Sequence, residues 1–167
     1  MHPVQALLPM LDSLDGPGPS ATAFANACLA TGWPQPTGDG IGLWEVAEPL
    51  AGTAVILDTI TKPTTLICRL DSDDAYEPDA LRGGPLRQRF DSTFDESLRI
   101  LGAHFPSVSA RGRYASPYNW QFAHFEAPNS IIALEQTHYD ETMGVQLLLL
   151  LQPRPSSFPT SAITSKW

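Results

Sequence analysis

Basic residues are scarce in this chain: ten lysines and arginines stand against eighteen aspartates and glutamates. Such a surface repels phosphate backbones, so nucleic acid is a poor expected partner and a basic protein a better one. Solubility alone is the competing use of that charge. Long apolar runs are missing as well. The longest, Leu147 to Leu151, is strand-sized and far short of the ~20 residues that a membrane helix needs, so no membrane span is expected. The opening Met1-His2-Pro3 lacks the basic region and apolar stretch of a secretory signal, which favours a cytoplasmic location. There are only two cysteines, Cys28 and Cys68, too far apart for a CxxC motif and each set in apolar surroundings. Buried free thiols are expected, ahead of a disulfide or a nucleophile.

Catalytic signatures are equally sparse. The stretch Gly38-Asp39-Gly40-Ile41-Gly42 lacks the spacing and the lysine of a phosphate loop and leads into a strand, so it reads as turn chemistry. No GxSxG elbow occurs. Accordingly no enzyme activity, catalytic residue, cofactor or metal is expected.

What remains fits one α+β domain over residues 1–152, with a Pro/Ser/Thr-rich tail over 153–167 that cannot bury enough surface to offset ordering and is expected to be disordered. Val4, Leu7, Leu8, Leu11 and Leu14 recur at helical spacing, and Gly16-Pro17-Gly18-Pro19 ends the run. Ser20 can cap a second helix that Gly32 terminates near Thr31. Two short N-terminal helices follow from this. Three β-rich runs come next, at 42–47, 53–61 and 64–71, and then an acidic, loop-like stretch from Asp71 through Asp73, Asp74, Tyr76 and Glu77 to Asp79. Gly83-Gly84-Pro85 introduces the clearest amphipathic helix, on which Leu86, Phe90, Phe94, Leu98 and Leu101 share a face. Arg82, Arg87 and Arg89 stand at its start, where the helix dipole disfavours positive charge, and pairing with the acidic stretch would account for them.

A meander closes the chain: runs near 112–115 and at 119–126, 130–138 and 145–152, giving an antiparallel sheet of about six strands interrupted by the long helix. The Leu147 to Leu151 run implies a strand buried on both faces and central in the sheet. A two-residue turn at Pro128-Asn129 sets Phe122 opposite Glu135, His124 opposite Ala133 and Glu126 opposite Ile131. His124, Glu126 and Glu135 then share a face with Trp120 and Phe122, a candidate metal or acid–base cluster weighed against an ordinary half-polar sheet face. His138 lies too far along its strand to join them. Trp120 and Phe122 read as core rather than as recognition surface; Tyr118, in a loop position, reads as exposed.

The segments Ile132-Ala133-Leu134-Glu135-Gln136 and Asp140-Glu141-Thr142-Met143-Gly144-Val145-Gln146-Leu147 belong to a last third that resembles immunity proteins of bacterial interbacterial toxin systems. The resemblance implies a small cytoplasmic protein, often acidic, that binds a cognate toxin domain and occludes or distorts its active site; it transfers no individual residues. The expected contacts are Asp71, Asp73, Asp74, Glu77 and Asp79 from the charge pattern, Tyr76 among them as an aromatic anchor, and Tyr118 as an exposed loop aromatic, facing a basic toxin or effector, with the protein itself a monomer or weak dimer. Residues 1–81 carry eleven acids against two bases, which is where the acidity concentrates. Two alternatives stay open: a secretion or assembly chaperone, and a small enzyme or metal-binding domain using His124, Glu126 and Glu135.

Overall fold

The computed structural model describes residues 1–158 apart from 51, 75–80, 116 and 139–143. Three helices lie on one face of an eight-stranded sheet among the described residues. Helix α1 spans Pro3–Asp15, α2 spans Ala21–Thr31 and α3 spans Gly84–His104. The strands are β1 (Thr37–Gly38), β2 (Leu43–Val46), β3 (Ala54–Asp58), β4 (Thr65–Asp73), β5 (Val108–Arg113), β6 (Gln121–Glu126), β7 (Ser130–His138) and β8 (Val145–Pro153).

Their order in the sheet is β1-β2-β3-β4-β8-β7-β6-β5, with every neighbouring pair antiparallel. Two four-stranded meanders therefore meet at the β4–β8 seam, each preceded in the chain by helix that covers the same face. That is a topological repeat with no matching period in the sequence.

Local chemistry sets the helix ends. Ser20 accepts a hydrogen bond from the Ala23 N–H at 3.1 Å, and Gly32 closes α2 at φ 73°, a left-handed conformation that suits glycine. The apolar stripe of α1 packs as expected through Val4, Leu7, Leu11 and Leu14, and that of α3 through Phe90, Phe94 and Leu101. The first helix is of ordinary length, thirteen residues, and not short. Between the helices and the sheet, alternate residues complete the core: Val55 and Leu57, Leu66 and Cys68, Ile132 and Leu134, and Leu147, Leu149 and Leu151. Strand β8 occupies the middle of the sheet and is buried on both faces from Val145 to Gln152. Cys28 and Cys68 are buried free thiols.

Four expectations change. Among the described residues there are eight strands, not about six: all seven β-rich runs form strands, and Thr37–Gly38 adds a two-residue edge strand against Trp44 and Glu45. Strand β5 starts at Val108, four residues before the run that announced it. Strand β4 continues through Asp71, Ser72 and Asp73, which are therefore strand and not loop. The long β8 supplies the reason: past the end of β3 it still pairs Leu147 with Asp71, Gln146 with Ser72 and Val145 with Asp73, beyond a bulge after Arg69. That bulge adds one residue and turns Asp71 and Asp73 towards the helices. Lastly, Trp120 precedes β6 and packs in the helix-side core, so it does not share the face of Phe122.

Of the expected tail, residues 154–158 lie back against the sheet, and 159–167 are outside the described residues. The Arg154 guanidinium donates to the Ala127 carbonyl at 2.8 Å, and the Ser157 N–H donates to Gln152 Oε1 at 3.0 Å.

Candidate partner-binding end of the sheet

Three connections reach the same end of the sheet: the run from β4 to α3, the β5–β6 loop and the β7–β8 link. The strand registers fix this, because Asp73 pairs with Val145, Val145 with His138, and Gln121 lies just beyond Glu135. Asp71, Asp73, Asp74 and Tyr118 are thus gathered at one end, around the first turns of α3. Tyr76, Glu77 and Asp79 fall outside the described residues.

Two arginines organise this end. Arg89 reaches from α3 to Asp71 at 3.2 Å and to Asp73 at 3.1 Å, so of the three arginines expected to pair with the acidic stretch it is Arg89 that is seen to do so. Arg87 is largely buried and does something different. Its Nε lies 3.0 Å from both carboxylate oxygens of Asp91, its Nη1 donates to the carbonyls of Leu81 and Tyr118, and its Nη2 donates to the carbonyl of Asn119 at 3.2 Å. The guanidinium also lies over the Trp120 ring, 4.8 Å from its centroid. Arg87 therefore ties the β5–β6 loop to the helix, and with it Tyr118, whose ring sits 5.5 Å from that of Trp120. Tyr118 is half-buried, less open than its loop position led us to expect.

Asp91 is the hub. Its Oδ1 accepts from Gln136 Nε2 at 2.9 Å and from Gln121 Nε2 at 3.1 Å besides meeting Arg87. Burial works against ionisation of Asp91 and is outweighed by the hydrogen bonds of Gln136, Arg87 and Gln121 and by the Arg87 charge, so its carboxyl lies below the usual range. Gly144 sets the approach of β8 to β4: it has φ 62°, and a Cβ there would run into the Asp73 backbone. Asp74 is exposed. Much of the remaining acidity has local structural work. Asp39 Oδ1 accepts from the N–H groups of Ile41, Gly42 and Leu43, and Asp58 Oδ1 from those of Ile60 and Thr61. Asp12 pairs with His104, and Asp15 accepts from the Asn129 N–H.

The second candidate cluster lies on the face of the sheet away from the helices. The hairpin register is the expected one: Phe122 faces Glu135, His124 faces Ala133 and Glu126 faces Ile131. His124 Nε2 is 3.3 Å from Glu135 Oε1, and the Tyr114 hydroxyl donates to the same oxygen at 3.0 Å. Glu126 does not join them. It turns to Ser107 at 3.3 Å and Arg154 at 3.6 Å, so the three-residue ligand set is not assembled. Among the described residues no group of three His, Cys, Asp or Glu side chains is placed to hold a metal ion. His124 is buried, with Nδ1 lacking a hydrogen-bond partner and its ring 5.7 Å from Phe158. Burial, then the charge and hydrogen bond of Glu135, push the Tyr114 phenol well above its ordinary value.

The chain matches no protein-family model, no curated protein and no solved structure.

The sequence singled out Asp71, Asp73, Asp74 and Tyr118, the aspartates as loop residues, but not Asp91, Gln121 and Gln136, which hold that end together. The one local signal was the Arg87–Asp91 spacing, an i,i+4 pair on the long helix. The two glutamines carry no such signal, since their side chains meet Asp91 only through the sheet register. No helix among the described residues is long and apolar enough to cross a membrane.

Proposed function

We propose that this protein is an acidic binding protein that neutralises a basic toxin or effector domain in the cytoplasm by covering its active site with the end of the sheet described above. The observation that supports this reading is the joint placement of Asp71, Asp73, Asp74 and Tyr118 around the first turns of α3, braced by Arg87, Arg89 and Asp91. A braced surface loses little conformational freedom on binding, which favours affinity. Exposed carboxylates steer a basic partner and raise its association rate. Asp74 is the contact residue of first choice, because Asp71 and Asp73 are already engaged by Arg89.

The test is Asp74→Lys measured against the captured partner. The expected result is slower association and a shallower salt dependence with the fold unchanged; unaltered affinity and salt dependence would remove this end from the interface.

A chaperone reading gains support from the opposite face, where Ile56, Ile67 and Leu148 line a shallow groove. A stable dimer in light scattering would favour it, and a strict monomer would count against it.

A further inference from the structure

The two edges of the sheet are not alike. At one, β1 is two residues long; at the other, β5 runs for six, Val108–Arg113, and among the described residues no strand pairs with its outer side. Hydrogen-bond parity shows which groups that side presents. The Tyr114 N–H donates to the Trp120 carbonyl at 2.9 Å, so Tyr114 and, two and four residues back, Gly112 and Ala110 bond towards β6. The N–H and C=O groups of Arg111 and Arg113 therefore point outwards, where a further strand would lie. Backbone donors and acceptors at that spacing are a template for a main-chain partner.

The side chains on this edge select among such partners. Arg111 and Arg113 stand opposite Ala123 and Gln121, and both are exposed. Arg113 Nη1 donates to the Asn119 carbonyl at 3.0 Å. Neither arginine forms an ion pair among the described residues, in contrast to Arg87, Arg89 and Arg154. The strand holds no acid of its own, in a chain with eighteen. Val108 opens the strand opposite Phe125 and is 48% exposed. A second copy fits this edge badly. Paired antiparallel about Gly112, it sets Arg111 of each chain against Arg113 of the other, and like charges directly opposite are destabilising.

We infer that the outer edge of β5 is a docking site for an extended acidic segment of a partner protein, which adds to the sheet as a further antiparallel strand. Read from its N-terminus, that segment carries carboxylates at two alternate positions, opposite Arg113 and then Arg111, followed by an apolar residue beside Val108. Main-chain bonds to Arg111 and Arg113 hold the strand, and two cross-strand charge pairs select it. Its ligand is opposite in charge to the basic domain proposed above, so the two readings stand or fall separately.

The test uses the full chain and an acetylated Ser-Glu-Thr-Glu-Thr-Val-Ser amide, titrated with NMR detection. The amide signals of Arg111 and Arg113 are expected to shift saturably and to gain protection from hydrogen exchange. A peptide with lysine for both glutamates should bind about tenfold more weakly, the scale of two cross-strand charge pairs changing sign. A third peptide, N-methylated at both glutamates, cannot donate to the edge and should not protect these amides. These comparisons test the wild type without any variant. Arg111→Glu combined with Arg113→Glu, both at exposed positions, should then prefer the lysine peptide. Absence of saturable shifts, or equal binding of the glutamate and lysine peptides, overturns the inference. Equal protection by the N-methylated peptide overturns it too, since the acid then meets the arginines without strand pairing. Protection that rises with protein concentration in the absence of peptide would make a second copy the occupant and overturn it as well.

Discussion

Arg87 and Asp91 sit one turn apart on α3, the guanidinium Nε 3.0 Å from both carboxylate oxygens, and through this pair the helix grips the β5–β6 loop and two strands at once. Replacing Arg87 with alanine leaves Asp91 and the carbonyls of Leu81, Tyr118 and Asn119 without their donor. A loss of about 2–4 kcal/mol in unfolding free energy is expected, on the scale of breaking a largely buried pair. Denaturant unfolding checks it; a change under about 0.5 kcal/mol, the size of an ordinary surface substitution, would show that the brace is dispensable.

Acid should weaken the same brace. Because the folded-state pKa of Asp91 is depressed, its contribution is complete above the unfolded value, about pH 4, and is lost as pH falls through the folded value. Asp91→Asn should therefore be less stable than wild type at neutral pH, with the gap narrowing below about pH 4. Acid titrations of both proteins followed by circular dichroism test this, and a gap that persists unchanged into strong acid contradicts it.

Tyr114 works in the opposite direction. Its phenol is raised, so the stabilisation from its neutral form is present below the unfolded value of about pH 10 and is lost as pH rises above it. In an alkaline absorbance titration the wild type should show one tyrosine that ionises only as the protein unfolds. Tyr114→Phe should remove that step.

Both thiols should be silent in the native protein. Burial pushes Cys28 up to about 11 and Cys68 up to about 12, and neither side chain reaches solvent. An aromatic disulfide reagent at neutral pH should label neither until denaturant is added, and fast labelling of the folded chain would contradict their placement.

Gly144 is the tightest backbone position at the acidic end. Gly144→Ala should destabilise by more than 1 kcal/mol, combining left-handed strain with a collision against Asp73. Hydrogen exchange should localise the loosening to residues 71–73 and 145–147, and exchange unchanged there would argue that the seam tolerates a side chain.

These sites differ in how visibly the sequence announces them. Helical stripes such as Phe90, Phe94 and Leu101, and the β6–β7 register through Pro128-Asn129, depend on local periodicity and turn chemistry, and both were readable. The end of β4 was not, because aspartates have poor strand propensity and only the partner strand β8 holds Asp71 and Asp73 in the ladder. Glu126 failed to join His124 and Glu135 for a similar reason. Sharing a face is a matter of parity, but Arg154 lies twenty-eight residues further on and draws the carboxylate away. Phe158 sat in a stretch whose composition reads as tail, and its packing depends on a socket built from β4, β6, β7 and β8.

Affinity capture with the full chain as bait in the source cell, followed by mass spectrometry and an activity assay on whatever is held, tests the central claim most directly. The account predicts a stoichiometric basic protein whose toxic activity is blocked in the complex and restored when Asp74→Lys replaces the wild type. Recovery of the chain alone, or of a partner that Asp74→Lys holds and inhibits as well as the wild type does, would contradict it.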